Sequence, residues 1–259
     1  MYFAFSTNLT NNNLIMNFNW TLFLKPTPYG DGIYFDWLWS GVIVTTSLAF
    51  TAWIIAFILG SVIGIMRTLN NKFLNKFAVI YIELFRNIPL LAQMFLWYMI
   101  MPEMLSGSLK TWFIEDLDPN IHSFILAAIA LGLFTSARIA EQVRTGIQTL
   151  PVGQKYAAVA LGLSKIQMYG YILLPNAYRK IIPTLTSEMT NIIKNSSVAS
   201  TIGLIDLIGQ IDRINESTNS IVEILCGVTL TFMIINYSVI LIMRIVEWNT
   251  RLPNTMSGG

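Results

Sequence analysis

Charge is scarce in this chain. Only 12% of its 259 residues are Asp, Glu, Lys or Arg, about half the share of a typical soluble domain, while 54% are hydrophobic. That balance excludes an ordinary water-soluble globule and points to a membrane protein with several spans. The net charge of +2 is small and its basic residues are scattered, which argues against a nucleic-acid-binding surface. With a single cysteine, Cys226, and a single histidine, His122, neither a disulfide framework nor a Cys/His zinc site can be assembled. Cys226 reads as a buried small hydrophobe, His122 as an interface residue at the outer end of a span, and no residue set calls for a metal or cofactor. A convincing Ser/Lys set for a nucleophilic hydrolase is missing too. No Lys or Arg precedes Lys25, so the basic n-region of a secretory signal is lacking. Residues 1–37 are read as a retained segment outside the membrane or at its interface.

What the chain has in abundance is apolar runs of membrane length. About 20 mainly apolar residues cross the hydrocarbon core, and the runs 38–66, 77–101, 121–140 and 221–243 satisfy this. A fifth, 178–205, has the length but is polar. If all five alternate across the membrane, one side receives Arg67, Lys72, Lys76, Arg144, Lys155, Lys165, Arg179, Lys180, Arg244 and Arg251, and the other only Lys25, Lys110 and Arg213. The positive-inside rule then places the N-terminus outside and the C-terminus inside. Four spans would strand Arg244 and Arg251 outside, so the charges favour five. The expected fold is all-α: a polytopic body over 38–248, an inner loop over about 145–177, a cytoplasmic tail over 249–259, and an acidic outer loop over 102–120 with Glu103, Glu115, Asp116 and Asp118.

Ionisable groups inside spans cost about 2.5 to 3.5 kcal/mol each on insertion scales, so they pair, line cavities or mark pathways. Glu83 and Arg86, three apart, are expected to pair on one helix face, with Pro89 just beyond as a bend. In the fifth run Thr184, Ser187, Glu188, Asn191, Lys194 and Asn195 recur at three- and four-residue intervals. They form a polar stripe that cannot face lipid and should face an aqueous path or a partner. Arg138 has two readings: it snorkels or pairs with Glu141, or it offers a planar fork to a substrate carboxylate, with Lys194 as a second cation. Gly60 and Gly64 form a GxxxG pair that either admits a neighbouring helix closely or is merely tolerated.

The inner loop contains "YAAVALGLSKIQMYGYILLP", Tyr156 to Pro175. Pro151 and Gly153 mark a turn, a two-turn helix follows, Gly162 suits a left-handed cap, and Ser164 with Gln167 gives a capping box that starts a second helix. On residue types alone this is either a bend laid into a partner's groove or an amphipathic helix anchored at the headgroups by Tyr156, Tyr169 and Tyr171.

Ala157, Ala158, Gly162, Ile172, Leu174 and Pro175 stand at the spacing of the "EAA" loop, and the segment resembles that loop in permease subunits of binding-protein-dependent ABC importers. "ELFRNIPLLAQ" (83–93), "AEQVRTGIQTLPVGQ" (140–154) and "KNSSVASTIGL" (194–204) resemble the polar amino-acid branch, and the wording is nearest the glutamate/aspartate subgroup. The likeness extends over about 38–248. It departs at Tyr156, where the family usually has glutamate, which puts in doubt a salt bridge from that position. The resemblance implies a type I importer permease of the bacterial cytoplasmic membrane, not itself an enzyme. Its expected partners are an ABC ATPase dimer, a second permease, identical or homologous, and an external substrate-binding protein. The absence of a G-x-x-x-x-G-K-[ST] loop agrees with this. Carried onto this chain, Ala157, Ala158, Leu161, Gly162, Leu163, Ser164 and Lys165 would contact the ATPase. Arg138, Ser187, Glu188, Asn191, Lys194 and Asn195 would line the substrate pathway. The competing class is an ion-coupled secondary amino-acid transporter using Glu188, Lys194 and Arg138, which would have no use for an ATPase dock.

Overall fold

The computed structural model describes residues 19–250. Residues 1–18 of the N-terminal segment, and Arg251 with the rest of the tail, lie outside the described residues. A short 3-10 turn, Trp20–Leu24, leads into ten helices. They are α1 (Tyr34–Met66), α2 (Lys72–Asn87), α3 (Leu90–Met104), α4 (Ser108–Thr111), α5 (Pro119–Gln148), α6 (Val152–Ala160), α7 (Lys165–Met168), α8 (Leu174–Ser196), α9 (Gly209–Thr218) and α10 (Ile221–Thr250). Three of them, α1, α5 and α10, are long and apolar enough to cross a membrane, and the bent α2–α3 pair makes a fourth crossing if taken as one span. The polar fifth run begins within α8 and outlasts it, α8 itself ending at Ser196; its 23 residues reach about 34 Å at 1.5 Å per residue.

α1 and α5 pack side by side in the same direction. A methyl group built on Gly60 would fall 2.7 Å from Ser136 O and from Ile139 Cβ, and one on Gly64 would fall 2.6 Å from Ala140 O. The GxxxG pair thus brings α1 against α5 at near backbone contact, the first of its two readings. Gly146 of α5 meets Ile181 of α8 in the same way, and α8 runs antiparallel to α5. One end of the bundle collects the C-termini of α1 and α5 and the N-termini of α2 and α8, and is basic. The opposite end carries the loop 105–118, α9 and the start of α10, and is acidic. α5 is the centre: 67% of its apolar window is buried, against 39% for α1 and 11% for α10. α10 therefore presents most of its surface, including Met233, Ile234, Ile242 and Trp248, to lipid or another subunit.

The run 77–101 is not one straight helix. α2 and α3 meet at 105°, and α3, with 15 residues, is about 22 Å long, too short to span alone. Proline disfavours the helical region for the residue before it, and Ile88 is extended (φ −90°, ψ 128°) with Pro89 capping α3. The carbonyls freed at the break are bonded by the buried Gln93, whose Nε2 donates to Phe85 O at 2.8 Å and Ile88 O at 2.9 Å. A second correction concerns Glu83 and Arg86: both are exposed, and among the described residues they form no ion pair. α1 begins at Tyr34, so the expected boundary at 37/38 falls inside it.

At the acidic end, Asp31 accepts hydrogen bonds from the Thr27 hydroxyl and from Trp37 Nε1. Arg213 lies 3.8 Å from its carboxylate and 3.7 Å over the Trp37 ring. The cluster ties α9 to the segment before α1, and the Thr27 hydroxyl in particular holds the Asp31 carboxyl below the usual range. Asp206, in the connector before α9, is fully buried. Its Oδ1 accepts from Ile208 N and Gly209 N, its Oδ2 has no partner, and burial pushes its carboxyl up to about 6.

Candidate functional site

Between α2, α5 and α8, toward the basic end, lies a cavity of about 350 Å³ lined by Arg86, Arg138, Glu141, Gln142, Thr145, Ile181, Thr184 and Glu188. The helical repeat builds it: positions 138, 141, 142 and 145 share one face of α5, and 181, 184 and 188 one face of α8. At its centre Arg138 and Glu188 form a two-point pair, Nε to Oε2 at 2.7 Å and Nη2 to Oε1 at 3.1 Å. Gln142 Nε2 also donates to Oε1, at 3.0 Å. The Glu188 side chain is 7% exposed and that of Arg138 is 42% exposed, so a buried carboxylate holds one edge of a half-open guanidinium. Glu141 is bound instead by Arg144, at 2.7 and 3.0 Å. The expected local pairing of Arg138 with Glu141 is thus replaced by one across 50 residues, because the antiparallel packing of α5 on α8 sets Glu188 directly opposite.

The polar stripe is divided. Thr184 and Glu188 face the cavity, Ser187 is exposed, and Asn191 and Asn195 are half-buried outside it. Lys194 lies six residues beyond Glu188, about 9 Å along the helix, and lines a separate apolar cavity against α10 with Phe232, Met233 and Asn236. Lys194 is therefore not the companion cation of Arg138 in this structure. Arg86, Gln142 and Thr145 were not singled out as pathway residues. For the two α5 residues, the spacing from Arg138 was an available signal. For Arg86, which α2 brings in, the signal was its charge within an apolar run.

The second feature is the segment from α6 to α8. α6 ends in a Schellman motif: Leu163 N donates to Ala158 O at 3.1 Å and Gly162 N to Val159 O at 2.9 Å, with Gly162 left-handed at φ +72°. Ser164 and Gln167 then make the expected capping box, at 2.8 and 3.3 Å. α7 passes through a π-helical turn, Tyr169–Leu173, into α8. The Tyr169 hydroxyl bonds Thr68, and Lys180 Nζ donates to Thr149 O at the end of α5, which fixes the segment to the bundle. Ala158 turns inward and is fully buried, and Leu163 is half-buried, whereas Ala157, Leu161, Gly162, Ser164 and Lys165 are exposed. Val152, Tyr156 and Val159 occupy one exposed face of α6, joined by Leu161 and Ile166. Tyr156 thus belongs to an unpartnered apolar surface at the basic end.

Comparison with known proteins adds the following. Residues 56–252 match the family model described as "Binding-protein-dependent transport system inner membrane component". The chain is 48% identical over 243 residues to the glutamate/aspartate import permease protein GltJ of Escherichia coli strain K12, covering 94% of this chain and 99% of that one. It is 28% identical over 234 residues to the glutamate/aspartate import permease protein GltK of E. coli O6:H1, covering 90% and 98%. A crystal structure of an amino acid ABC transporter with histidines superposes with a TM-score of 0.70 at 28% identity, over 83% of this chain and 95% of that one.

Proposed function

The chain belongs to the family of binding-protein-dependent transport system inner membrane components, and on that premise we propose that it is the permease subunit of an ATP-driven importer of glutamate and aspartate. The observation that carries the reading is its likeness, over 94% of its length, to a glutamate/aspartate import permease. In this reading two ATPase subunits, two permeases and an external binding protein complete the machine. Nucleotide-driven closure of the ATPases moves the permeases between inward-open and outward-open states. The basic end faces the cytoplasm and the acidic end the outside. The second permease is a homologue, since two relatives of this chain carry the glutamate/aspartate import name.

The exposed bend is the ATPase contact. Leu161 and Gly162 lead, Ala157, Ser164 and Lys165 flank them, and Ala158 and Leu163 hold the bend from inside. Tyr156 adds an aromatic ring to the α6 face where a carboxylate was expected, so that contact is apolar rather than ionic. Arg138 meets the side-chain carboxylate of the substrate as it passes the cavity, with Glu188 and Gln142 orienting the guanidinium. Ser187, Asn191, Lys194 and Asn195 continue the polar path along α8.

Purified permease, ATPase and binding protein in liposomes test this. Glutamate and aspartate should stimulate ATP hydrolysis several-fold, and glutamine and arginine little. Stimulation by glutamine alone would assign a different substrate, and no copurifying ATPase would remove the importer reading.

A further inference from the structure

Three of the four charged residues lining the cavity are already committed to ion pairs. Arg138 is held by Glu188, and Glu141 by Arg144 at the rim, and each pair is neutral. Arg86 has no ion-pair partner among the described residues, lines the same cavity and is exposed at the last turn of α2. The lining residues themselves balance, two cations against two anions, and Arg86 acts on Glu141 across the cavity. Counted with Arg144 at the rim, the site holds one more positive charge than negative, and Arg86 is the guanidinium whose donors no carboxylate takes up. An acidic amino acid, with two carboxylates and one ammonium, carries one net negative charge and would neutralise it.

We propose that Arg86 is a second anion receptor of this cavity and takes the α-carboxylate of the substrate, while Arg138 takes the side-chain carboxylate. The assignment rests on the importer reading above. Two guanidinium groups on different helices suit two carboxylates on one small molecule, because each offers a planar two-donor fork. The carboxylates of Glu141 and Glu188 are partnered, and with the Thr145 and Thr184 hydroxyls they leave acceptors for the substrate ammonium.

The test is equilibrium binding of radiolabelled ligands to the assembled, detergent-solubilised transporter without its binding protein. The ligands are L-glutamate, L-glutamine, which lacks the side-chain carboxylate, and 4-aminobutanoate, which lacks the α-carboxylate. In Arg86→Gln, glutamate and glutamine should weaken about tenfold or more, the loss of a charge-assisted fork, with 4-aminobutanoate unchanged. In Arg138→Gln, glutamate and 4-aminobutanoate should weaken with glutamine unchanged. Arg86→Lys should recover part of the loss. Equal weakening of all three ligands by Arg86→Gln, or of none, overturns the proposal, as does failure of that variant to assemble, which would give Arg86 to the subunit interface. If the wild-type complex imports glutamate in vesicles yet binds none here, the cavity assignment falls and the importer reading stands. If vesicles import no acidic amino acid, the importer reading itself falls.

Discussion

Arg138 and Glu188 illustrate why a charged pair inside a membrane protein is weak evidence for stability by itself. Removing one member leaves the other uncompensated, and the more buried partner suffers more. Arg138→Met should therefore lower stability by up to about 3 kcal/mol, more than Glu188→Met. The double variant should recover most of that loss while losing discrimination between glutamate and glutamine. Thermal unfolding midpoints in detergent check the first statement and uptake ratios the second. Asp206 gives a different signature. Its folded pKa of about 6 lies above its ordinary 3.8, so protonation favours the folded state. Stability should fall as pH rises from about 4 through 6, and Asp206→Asn, which keeps an acceptor for the Ile208 and Gly209 amides, should flatten that dependence. Midpoints at pH 4.5 and 7.5 would show it.

At the scale of elements, close helix approach and one tight bend dominate. Gly60→Val would push a branched side chain into Ser136 O and Ile139, and overpacking of this kind costs about 1 to 3 kcal/mol. The variant should lower the unfolding midpoint of the complex, whereas Gly153→Ala, which meets nothing within 4 Å, should not. Gly162 has open space around it but a left-handed backbone that costs other residues about 1 to 2 kcal/mol. Gly162→Glu should abolish copurification of the ATPase while leaving the permease folded. This bend was legible in sequence because its signals are local: a glycine cap, a capping box and a following proline. The all-helical fold with several membrane-length apolar helices was legible from apolar length. The α2–α3 break was only half legible, since Pro89 signals a bend but not its angle, which depends on Gln93 bonding the freed carbonyls. The Arg138–Glu188 pair was not legible as a pair, because contacts between residues 50 apart are set by packing. Lys194 shares the α8 stripe with Glu188 but not its cavity, because which helix faces meet is also set by packing.

For the whole molecule, the separation of charge between its ends is the property with the broadest consequence. The basic end carries the bent segment and the acidic end the loop 105–118 and α9, so orientation and partner choice are one question. In a Cys226→Ser background, cysteine at Glu115 should react with a membrane-impermeant maleimide on intact cells, and cysteine at Lys155 only after permeabilisation. The reverse pattern would place the bent segment outside, where no ATPase can reach it. The most direct measurement is accumulation of labelled glutamate in proteoliposomes holding the assembled transporter and its binding protein, with either ATP on the ATPase side or an imposed ion gradient as the only energy source. Accumulation that requires ATP and is indifferent to the gradient is the predicted result. Accumulation driven by the gradient without ATP would contradict the account and establish a secondary transporter.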